Sequence, residues 1–373
     1  MGDSMKYQIC ARCVMDTTDP EITFDEQGIC NHCTNAKLLL SRDWLPNESG
    51  QKKLHTIAAE IKANRGNREY DSIVGVSGGI DSSYLLHLAK VEMGLNPLVV
   101  HVDAGWNSQI AVNNIEKLVK KLGLDLYTYV VDWNEMRELQ VAFLKSSLAN
   151  QDVPQDHAFF AKLYQVADEN NIRYTITGSN LTSESILPSS WGYDASDSIQ
   201  IKAIAKRFGK GSLKKYPMMS WWSNKIYWPY IKKMNVVRPL NLINYNKNEA
   251  IKFLQENYGW QYYGGKHHES KWTKFFQAHY LPVKFGFDKR KAHLSSMIAA
   301  EQITRDQALA ELDKPLYNAH ELKEDIYFIE KKLGLKAGEL VELMQLPNRV
   351  YTDYPNDRKM LSVFRKIKHL FLK

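Results

Sequence analysis

The sequence predicts an α/β protein: a parallel-sheet domain, preceded by a small metal-binding ribbon and followed by a mostly helical part. Three observations predict it. Between residues 70 and 177, short apolar runs alternate four times with segments of helical period. The four cysteines fall in two C-x-x-C pairs near the N-terminus. From about Pro239 onward the pattern turns helical. The corresponding boundaries are 1–45 for the ribbon, 46–238 for the α/β domain and 239–373 for the helical part.

The ribbon rests on Cys10, Cys13, Cys30 and Cys33, which are all the thiols of the chain, with sixteen residues between the two pairs. Two such pairs supply four thiolates at the corners of a tetrahedron, the geometry of a closed structural Zn²⁺ site. Two disulfides are the competing arrangement. They are disfavoured because no basic stretch followed by an apolar run marks an export signal, and the reducing cytoplasm expected for such a chain opposes them. His32 lies inside the second pair and reads as a solvent-side histidine, since four thiolates already complete the shell. Met5 is a candidate natural start, with an added leader before it.

Residues 38–68 are polar and lysine-rich, with Leu54, Ile57, Ala58 and Ile61 spaced for an amphipathic helical connector. Strands are expected over 72–76, 98–102, 126–131 and 174–177, and helices over 81–90, 109–121, 135–148 and 158–170. Strands and helices alternating in this way make a parallel sheet with right-handed crossovers, whose ligands gather at the carboxyl ends of the strands. The loops after Val76, Val102 and Thr177 are therefore the expected site. Further helices are expected over 247–257, 293–300, 304–312 and 322–333.

Composition excludes several classes. With 44% hydrophobic and 24% charged residues in 373, the chain is neither disordered nor collagen-like nor a coiled coil. Its longest apolar runs are strand-sized, so no membrane-spanning helix is expected. The net charge of +7 suits acidic substrates such as phosphates or uronic acids, or reflects scattered lysines, and charge alone carries little weight for nucleic acid.

The first strand runs into Ser77-Gly78-Gly79-Ile80-Asp81-Ser82-Ser83, where a helix begins. Two glycines clear the approach for an anion, and backbone amides of the loop and helix start point at it. Ser77, Ser82 and Ser83 add hydroxyl donors. Asp81 suits a Mg²⁺ ion that bridges phosphate oxygens. No G-x-x-x-x-G-K-[ST] pattern is present, so this is not a Walker loop.

This S-G-G-x-D-S-S sequence resembles the PP-loop of the ATP pyrophosphatases, a HUP-like fold whose members cleave ATP between the α- and β-phosphates and transfer AMP to a carbonyl-type oxygen. The resemblance extends over nearly the full chain. Cys-Ala-Arg-Cys-Val-Met at Cys10, the segment Phe24 to Cys33, the PP-loop, the segment His101 to Ser108 and Tyr-Gly-Gly-Lys-His-His-Glu-Ser at Tyr263 are similar to the N-acetyl sugar amidotransferases of bacterial O-antigen (lipopolysaccharide) biosynthesis. That resemblance implies an ATP-dependent, AMP-forming carbon–nitrogen ligase. Its substrate would be a UDP-linked diacetamido-uronic acid, in which one acetamido group becomes an acetamidino group. It also implies a separate glutaminase that supplies ammonia, with a cyclase-like subunit often alongside. All four cysteines are committed to the ribbon, which leaves no nucleophile for an internal glutaminase of the common cysteine type.

Gly264 to Glu269 combines a permissive turn with a cation, two imidazoles and a carboxylate, and the resemblance makes it a second site. Lys266 would bind phosphate, while His267, His268 or Glu269 would accept the proton lost from attacking ammonia. Asp103 ends the second strand and either contacts ribose, metal or substrate, or caps the next helix. Gly178, Ser179 and Asn180 follow the fourth strand where adenylate or the activated carbonyl would lie. Glu184, Trp191 and Tyr193 either bind sugar or cover the sheet edge. Lys202, Lys206 and Arg207 either face pyrophosphate and uronate or form a solvated basic face. The aromatic stretch Trp221 to Tyr230 offers stacking or a partner surface beside its ordinary packing role. Asp288 to Lys291 and Arg305 would add anion contacts unless they form a surface basic run.

Two rivals remain. One is a PP-loop enzyme of tRNA modification, although many of those use a spare catalytic cysteine that this chain lacks. The other is a zinc-ribbon nucleic-acid-binding protein whose α/β domain only senses nucleotide. Salt-sensitive RNA binding would support either.

Overall fold

The computed structural model describes residues 6–192, 194–264 and 269–371, with side chains through Lys366. Five parallel strands form its sheet: β1 (Ser72–Gly75), β2 (Pro97–Asp103), β3 (Leu126–Val130), β4 (Tyr174–Ile176) and β5 (Asn235–Val237). They lie in the order β3-β2-β1-β4-β5, with Ser72 beside Pro97 and Ile73 beside Thr175. The strand order therefore reverses between β1 and β4, which opens a crevice at their carboxyl ends. The four expected strands are present. The fifth is a three-residue edge strand pairing Tyr174 with Asn235, too short and too exposed to leave an apolar run in the sequence.

The helices are α1 (Asn31–Asp43), α2 (Glu48–Arg65), α3 (Ile80–His87), α4 (Gln109–Leu122), α5 (Trp133–Ser146), α6 (Val153–Glu169), α7 (Leu181–Glu184) and α8 (Ser198–Phe208). A π-helical segment, Ser223–Ile231, precedes β5. After β5 come α9 (Lys247–Tyr258), α10 (Lys271–Phe275), α11 (Leu281–Phe285), α12 (Lys289–Ala299), α13 (Arg305–Leu312), α14 (Ala319–Leu333), α15 (Glu339–Met344) and α16 (Arg358–Phe371).

Alternate strand residues feed opposite faces, as the two-residue period of a strand requires. Val74 and Val99 join one core with Leu54, Leu85, Ile115 and Leu254, from α2, α3, α4 and α9. Ile73 and Val100 join the other with Leu139, Phe143, Leu163 and Val166, from α5 and α6. Both faces are covered, which is why these strands read as continuous apolar runs.

One expectation is corrected. The connector over 38–68 is not one helix but two, broken at Trp44–Asn47 around Pro46. There the Asn47 side chain accepts from the amides of Ser49 (3.0 Å) and Gly50 (3.3 Å) and starts α2 afresh. The helical part beyond 239 packs onto the sheet domain: α9 closes one sheet face, and α10, α11, α12, α14 and α15 extend the core of the other.

The ribbon is likewise built into the body. Ser295 of α12 accepts from the Val14 amide at 3.2 Å, and Lys291 pairs with buried Asp16. Arg305, at the start of α13, donates to the carbonyls of Cys13 (3.1 Å) and Cys10 (3.2 Å).

Candidate functional site

The PP-loop sits at the switch point. Gly78 has φ +80°, and a Cβ there would lie 2.5 Å from the Ala111 carbonyl oxygen of α4, so both backbone and space demand glycine. The N-cap of α3 is Gly79, which has no side chain to cap it; the Ile80 amide is taken by the Tyr263 hydroxyl, and the positive end of the helix dipole is turned to the crevice. Ser77 and Ser82 fold the loop on itself. The Gly79 amide donates to Ser77 Oγ (3.2 Å), the Ser77 amide to Ser82 Oγ (3.4 Å), and Ser82 Oγ to the Gly79 carbonyl (3.1 Å). Ser83 turns away and accepts from the buried Trp260 indole at 3.2 Å.

The loop after β4 closes the other wall. A Cβ on Gly178 would meet the backbone of Asp81 at 3.1 Å, so the absent side chain lets the two loops touch. Asn180 is buried. Its Oδ1 accepts from Thr182 Oγ1 (2.7 Å), the Ser183 amide (3.1 Å) and Ser183 Oγ (3.1 Å), so it caps α7 and shapes the loop from within. Ser179 is half-buried beside it.

Asp103 lies at the end of β2, where its Oδ1 accepts from the Gly105 amide (2.7 Å) and Asn107 Nδ2 (3.2 Å). The same Asn107 amide donates to His101 Nε2 at 3.2 Å, which leaves the proton on Nδ1 to reach the Val76 carbonyl at 2.9 Å. A partly buried relay thus ties the carboxyl end of β1 to the Asp103 loop. Lys332 of α14 reaches the same loop, donating to the Gly105 carbonyl with its Nζ 4.9 Å from the Trp133 ring centroid. Burial lowers its pKa.

The second site meets the first. The Ser108 amide donates to the Glu269 carbonyl at 2.7 Å, Asn107 and Ser270 form an antiparallel bridge, and Glu269 Oε1 lies 2.9 Å from where a Gly79 Cβ would stand. Glu269 is therefore brought against the PP-loop. Lys266, His267, His268 and Tyr193 lie outside the described residues.

Two aromatic contributors, Tyr245 and Trp260, were not singled out from sequence, and a third, Tyr263, was named only as the start of the motif that runs to Ser270. The Tyr245 hydroxyl donates to Asp81 Oδ1, and burial together with the Asp81 charge pushes its pKa well up. Tyr263 accepts from the Ile80 amide at 3.1 Å, and burial, with Glu269 next, pushes its pKa up. Trp260 holds Ser83, as above. Tyr245 and Trp260 lie more than 160 positions along the chain from the loop, so no local signal could have tied them to it.

The other candidates are dispersed. Glu184 is half-buried at the end of α7, whereas Trp191 is fully buried and stacked on Phe287 at 5.2 Å between centroids. Lys202, Lys206 and Arg207 lie exposed on α8, with Arg207 5.2 Å over the Phe208 ring. The expected anion contacts at 288–291 and Arg305 are corrected for three residues. Arg290 is spent on Asp288 (2.8 Å) and the carbonyls closing α13, Lys291 on Asp16, and Arg305 on the ribbon.

The four sulfurs lie within 4.8 Å of one another, with Cys10 to Cys33 at 3.9 Å and Cys13 to Cys30 at 3.7 Å. These are non-bonded separations, far above a disulfide's ~2.05 Å. They match the edge of about 3.8 Å of a tetrahedron with metal–sulfur bonds of about 2.3 Å. Amides of Arg12 (3.4 Å), Cys13 (3.4 Å) and Cys30 (3.3 Å) donate to Cys10 Sγ. Hydrogen bonding from Cys13 draws the Cys10 thiol down, whereas its bond to Cys10 pushes Cys33 up, a conflict that a divalent cation would relieve. The residues therefore fit a bound metal ion. His32 is corrected: rather than facing solvent, its Nε2 sits 2.6 Å from buried Asp19.

Comparison with known proteins agrees with this architecture. Residues 71–243 match the phosphoadenosine phosphosulfate reductase domain family, and residues 269–368 match the family described as LPS biosynthesis protein WbpG-like, C-terminal domain. Among curated relatives, a glutamine-hydrolyzing GMP synthase of Thermosipho africanus is 27% identical over 173 residues, 43% of this chain and 31% of that protein. An NH(3)-dependent NAD(+) synthetase of Mycoplasmopsis pulmonis is 25% identical over 178 residues, 44% of this chain and 68% of that protein. The chain thus spans about a third of the GMP synthase's length.

Solved structures that resemble it include NH3-dependent NAD synthetase from Campylobacter jejuni, with 18% identity and TM-score 0.28 over 56% of this chain and 84% of that one. Another is NMN synthetase from Francisella tularensis, with 16% identity and TM-score 0.29 over 64% and 94%. The chain is a PP-loop protein of the ATP pyrophosphatase superfamily that carries a C-terminal domain of the WbpG-like lipopolysaccharide-biosynthesis family.

Proposed function

We propose that this chain is the synthetase subunit of an ATP-dependent, AMP-forming N-acetyl sugar amidotransferase. It converts an acetamido group of a UDP-linked diacetamido-uronic acid into an acetamidino group, in the cytoplasm, with ammonia supplied by a separate glutaminase and with a cyclase-like subunit alongside. The observation that carries this reading is the meeting of two matched regions at one point: Glu269, the first residue of the WbpG-like match, stands against Gly79 of the PP-loop.

An amide carbonyl is a poor electrophile, so its oxygen must first become part of a leaving group. In this reading the acetamido oxygen attacks the α-phosphorus of ATP, pyrophosphate departs, and an O-adenylyl imidate remains. Ammonia then adds at the carbon, loses a proton, and AMP leaves. The amides at the start of α3 stabilise charge on the phosphates where it develops, a preorganised role commonly worth a few kcal/mol. Mg²⁺ held by Asp81 would supply further neutralisation of the departing pyrophosphate. Glu269, with His267 and His268, is assigned the proton from ammonia, and Lys266 a phosphate. Asp103, Ser179 and Glu184 are assigned adenylate or sugar contacts, and the four cysteines a structural Zn²⁺.

The test is turnover of the purified chain with ATP, Mg²⁺ and ammonium at alkaline pH against a panel of UDP-diacetamido sugars. AMP together with a sugar mass changed by exchange of oxygen for an imino group supports the reading. AMP only on addition of tRNA would transfer the chain to RNA modification, and RNA binding without turnover would leave a nucleic-acid-binding protein.

A further inference from the structure

The last helix, α16, has no place in the chemistry above, yet its pattern is strongly one-sided. Its N-terminal end is anchored: the Asp357 amide donates to Asp197 at 3.0 Å, and the Arg358 guanidinium lies 5.0 Å over the Tyr351 ring. Beyond that anchor, residues 358–366 include Arg358, Lys359, Arg365 and Lys366 and no acidic residue. The sequence through 373 adds two lysines and again no acid.

With about 100° between successive helical residues, Met360, Leu361, Val363 and Phe364 share one arc while Arg358, Ser362, Arg365 and Lys366 share the other. One edge of the apolar arc is covered, since Phe364 packs edge-on against Trp221 at 5.7 Å and near Tyr230 at 6.4 Å. The other edge is open: Met360 is 44% exposed and Val363 57%. The aromatic segment under Phe364 is open in the same way, with Trp222 at 55%, Tyr230 at 46% and Ile231 at 57%.

Exposed aliphatic side chains, an amphipathic tryptophan and tyrosine, and a helix that carries cations and no acid, with Asp194, the carboxylate paired to the aromatic segment, held by Lys225 at 3.3 Å, make up the chemistry of a helix lying flat on an anionic lipid surface. A protein groove would bury the apolar arc but gives no reason for a helix with four cations and no acid over 358–366. Nucleic acid would use the cations but gains little from exposed Met360 and Val363. No helix among the described residues is long and apolar enough to span a bilayer, so the contact is peripheral. We infer that α16 and the Trp221–Ile231 segment together form a docking surface for an anionic membrane.

The test is flotation of the full chain with vesicles of phosphatidylcholine alone, or with roughly one-third phosphatidylglycerol, at low and high salt. The chain is expected to float with the anionic vesicles, to stay behind with the neutral ones, and to be released by salt. Arg365→Gln with Lys366→Gln should weaken partition by about 30-fold, since each cation near such a surface contributes roughly fivefold. Met360→Gln with Val363→Gln should abolish it at unchanged thermal stability, because both side chains are exposed. Failure of the wild type to bind anionic vesicles, equal binding to neutral ones, or wild-type partition by both double variants would overturn the inference. So would binding of RNA or of an acidic protein in place of vesicles. The readout needs no turnover, so it stands or falls apart from the reaction proposed above.

Discussion

At Gly78 two constraints coincide, a left-handed backbone and a carbonyl 2.5 Å from any added Cβ. Gly78→Ala is expected to cost about 1–3 kcal/mol of stability and to abolish AMP formation, because relieving the contact with Ala111 moves the loop amides. Calorimetry beside a turnover assay would check it, and an unchanged melting temperature with full activity would contradict the geometry. Asp81 gives a cleaner separation. Asp81→Asn keeps an oxygen for the Tyr245 hydroxyl, so folding should hold while AMP formation falls by at least about 100-fold with the lost charge. Retained turnover in that variant would place the metal elsewhere.

The S-G-G-x-D-S-S motif, Gly178 and Glu269 were legible because their residue types are costly without a use. Tyr245 and Trp260 were not, since tyrosine and tryptophan in a helical region look like core until the fold carries them to the loop. His32 was misread for the converse reason: its partner, Asp19, is thirteen positions away and buried.

Among the elements, the ribbon is the one whose role changed most between sequence and structure. Its cysteine spacing was unambiguous, but nothing in it announced that Arg305 and Ser295, nearly three hundred residues on, would hold its backbone. Cys30→Ser should remove bound zinc and lower the melting temperature, because three thiolates no longer close the tetrahedron. One zinc per chain in that variant, measured by atomic emission, would refute the assignment. Arg305→Ala leaves the sulfurs in place and is expected to cost about 2 kcal/mol through two lost charge-assisted hydrogen bonds, read in urea melts. Strands buried on both faces were equally legible, whereas β5 was not, because a three-residue edge strand has no apolar signature of its own. The break before α2 was foreshadowed by Pro46 and Asn47, whose stop-and-start meaning the lysine-rich periodicity around them concealed.

For the whole molecule, pH offers a probe of how the helical extension sits on the sheet domain. Asp152, before α6, is buried against Thr273 of α10 (3.3 Å), with Gln155 at 2.6 Å. Burial, with Asp156 next, pushes its pKa up to about 8 even though Lys289 of α12 opposes this. The folded chain therefore holds a proton that the unfolded chain has released, and stability falls as pH rises toward 8. His157 acts in the other sense, since burial lowers its pKa to about 4, so its contribution grows with pH only up to the ordinary imidazole value of 6.5. Between pH 6.5 and 8 the Asp152 effect remains. The melting temperature of the wild type should drop across that window, while Asp152→Asn should flatten the curve; parallel curves would contradict this burial.

The central claim is that one crevice, walled by the PP-loop, the Gly178 loop and Glu269, activates an amide oxygen with AMP. It is tested most directly by a UDP-diacetamido sugar whose acetamido oxygens carry a heavy isotope, incubated with the chain, ATP, Mg²⁺ and ammonium. Heavy oxygen recovered in the phosphate of AMP is the predicted result, because the bond formed in the first step is the bond kept by the leaving group. Formation of ADP, or AMP without the label, would contradict the account.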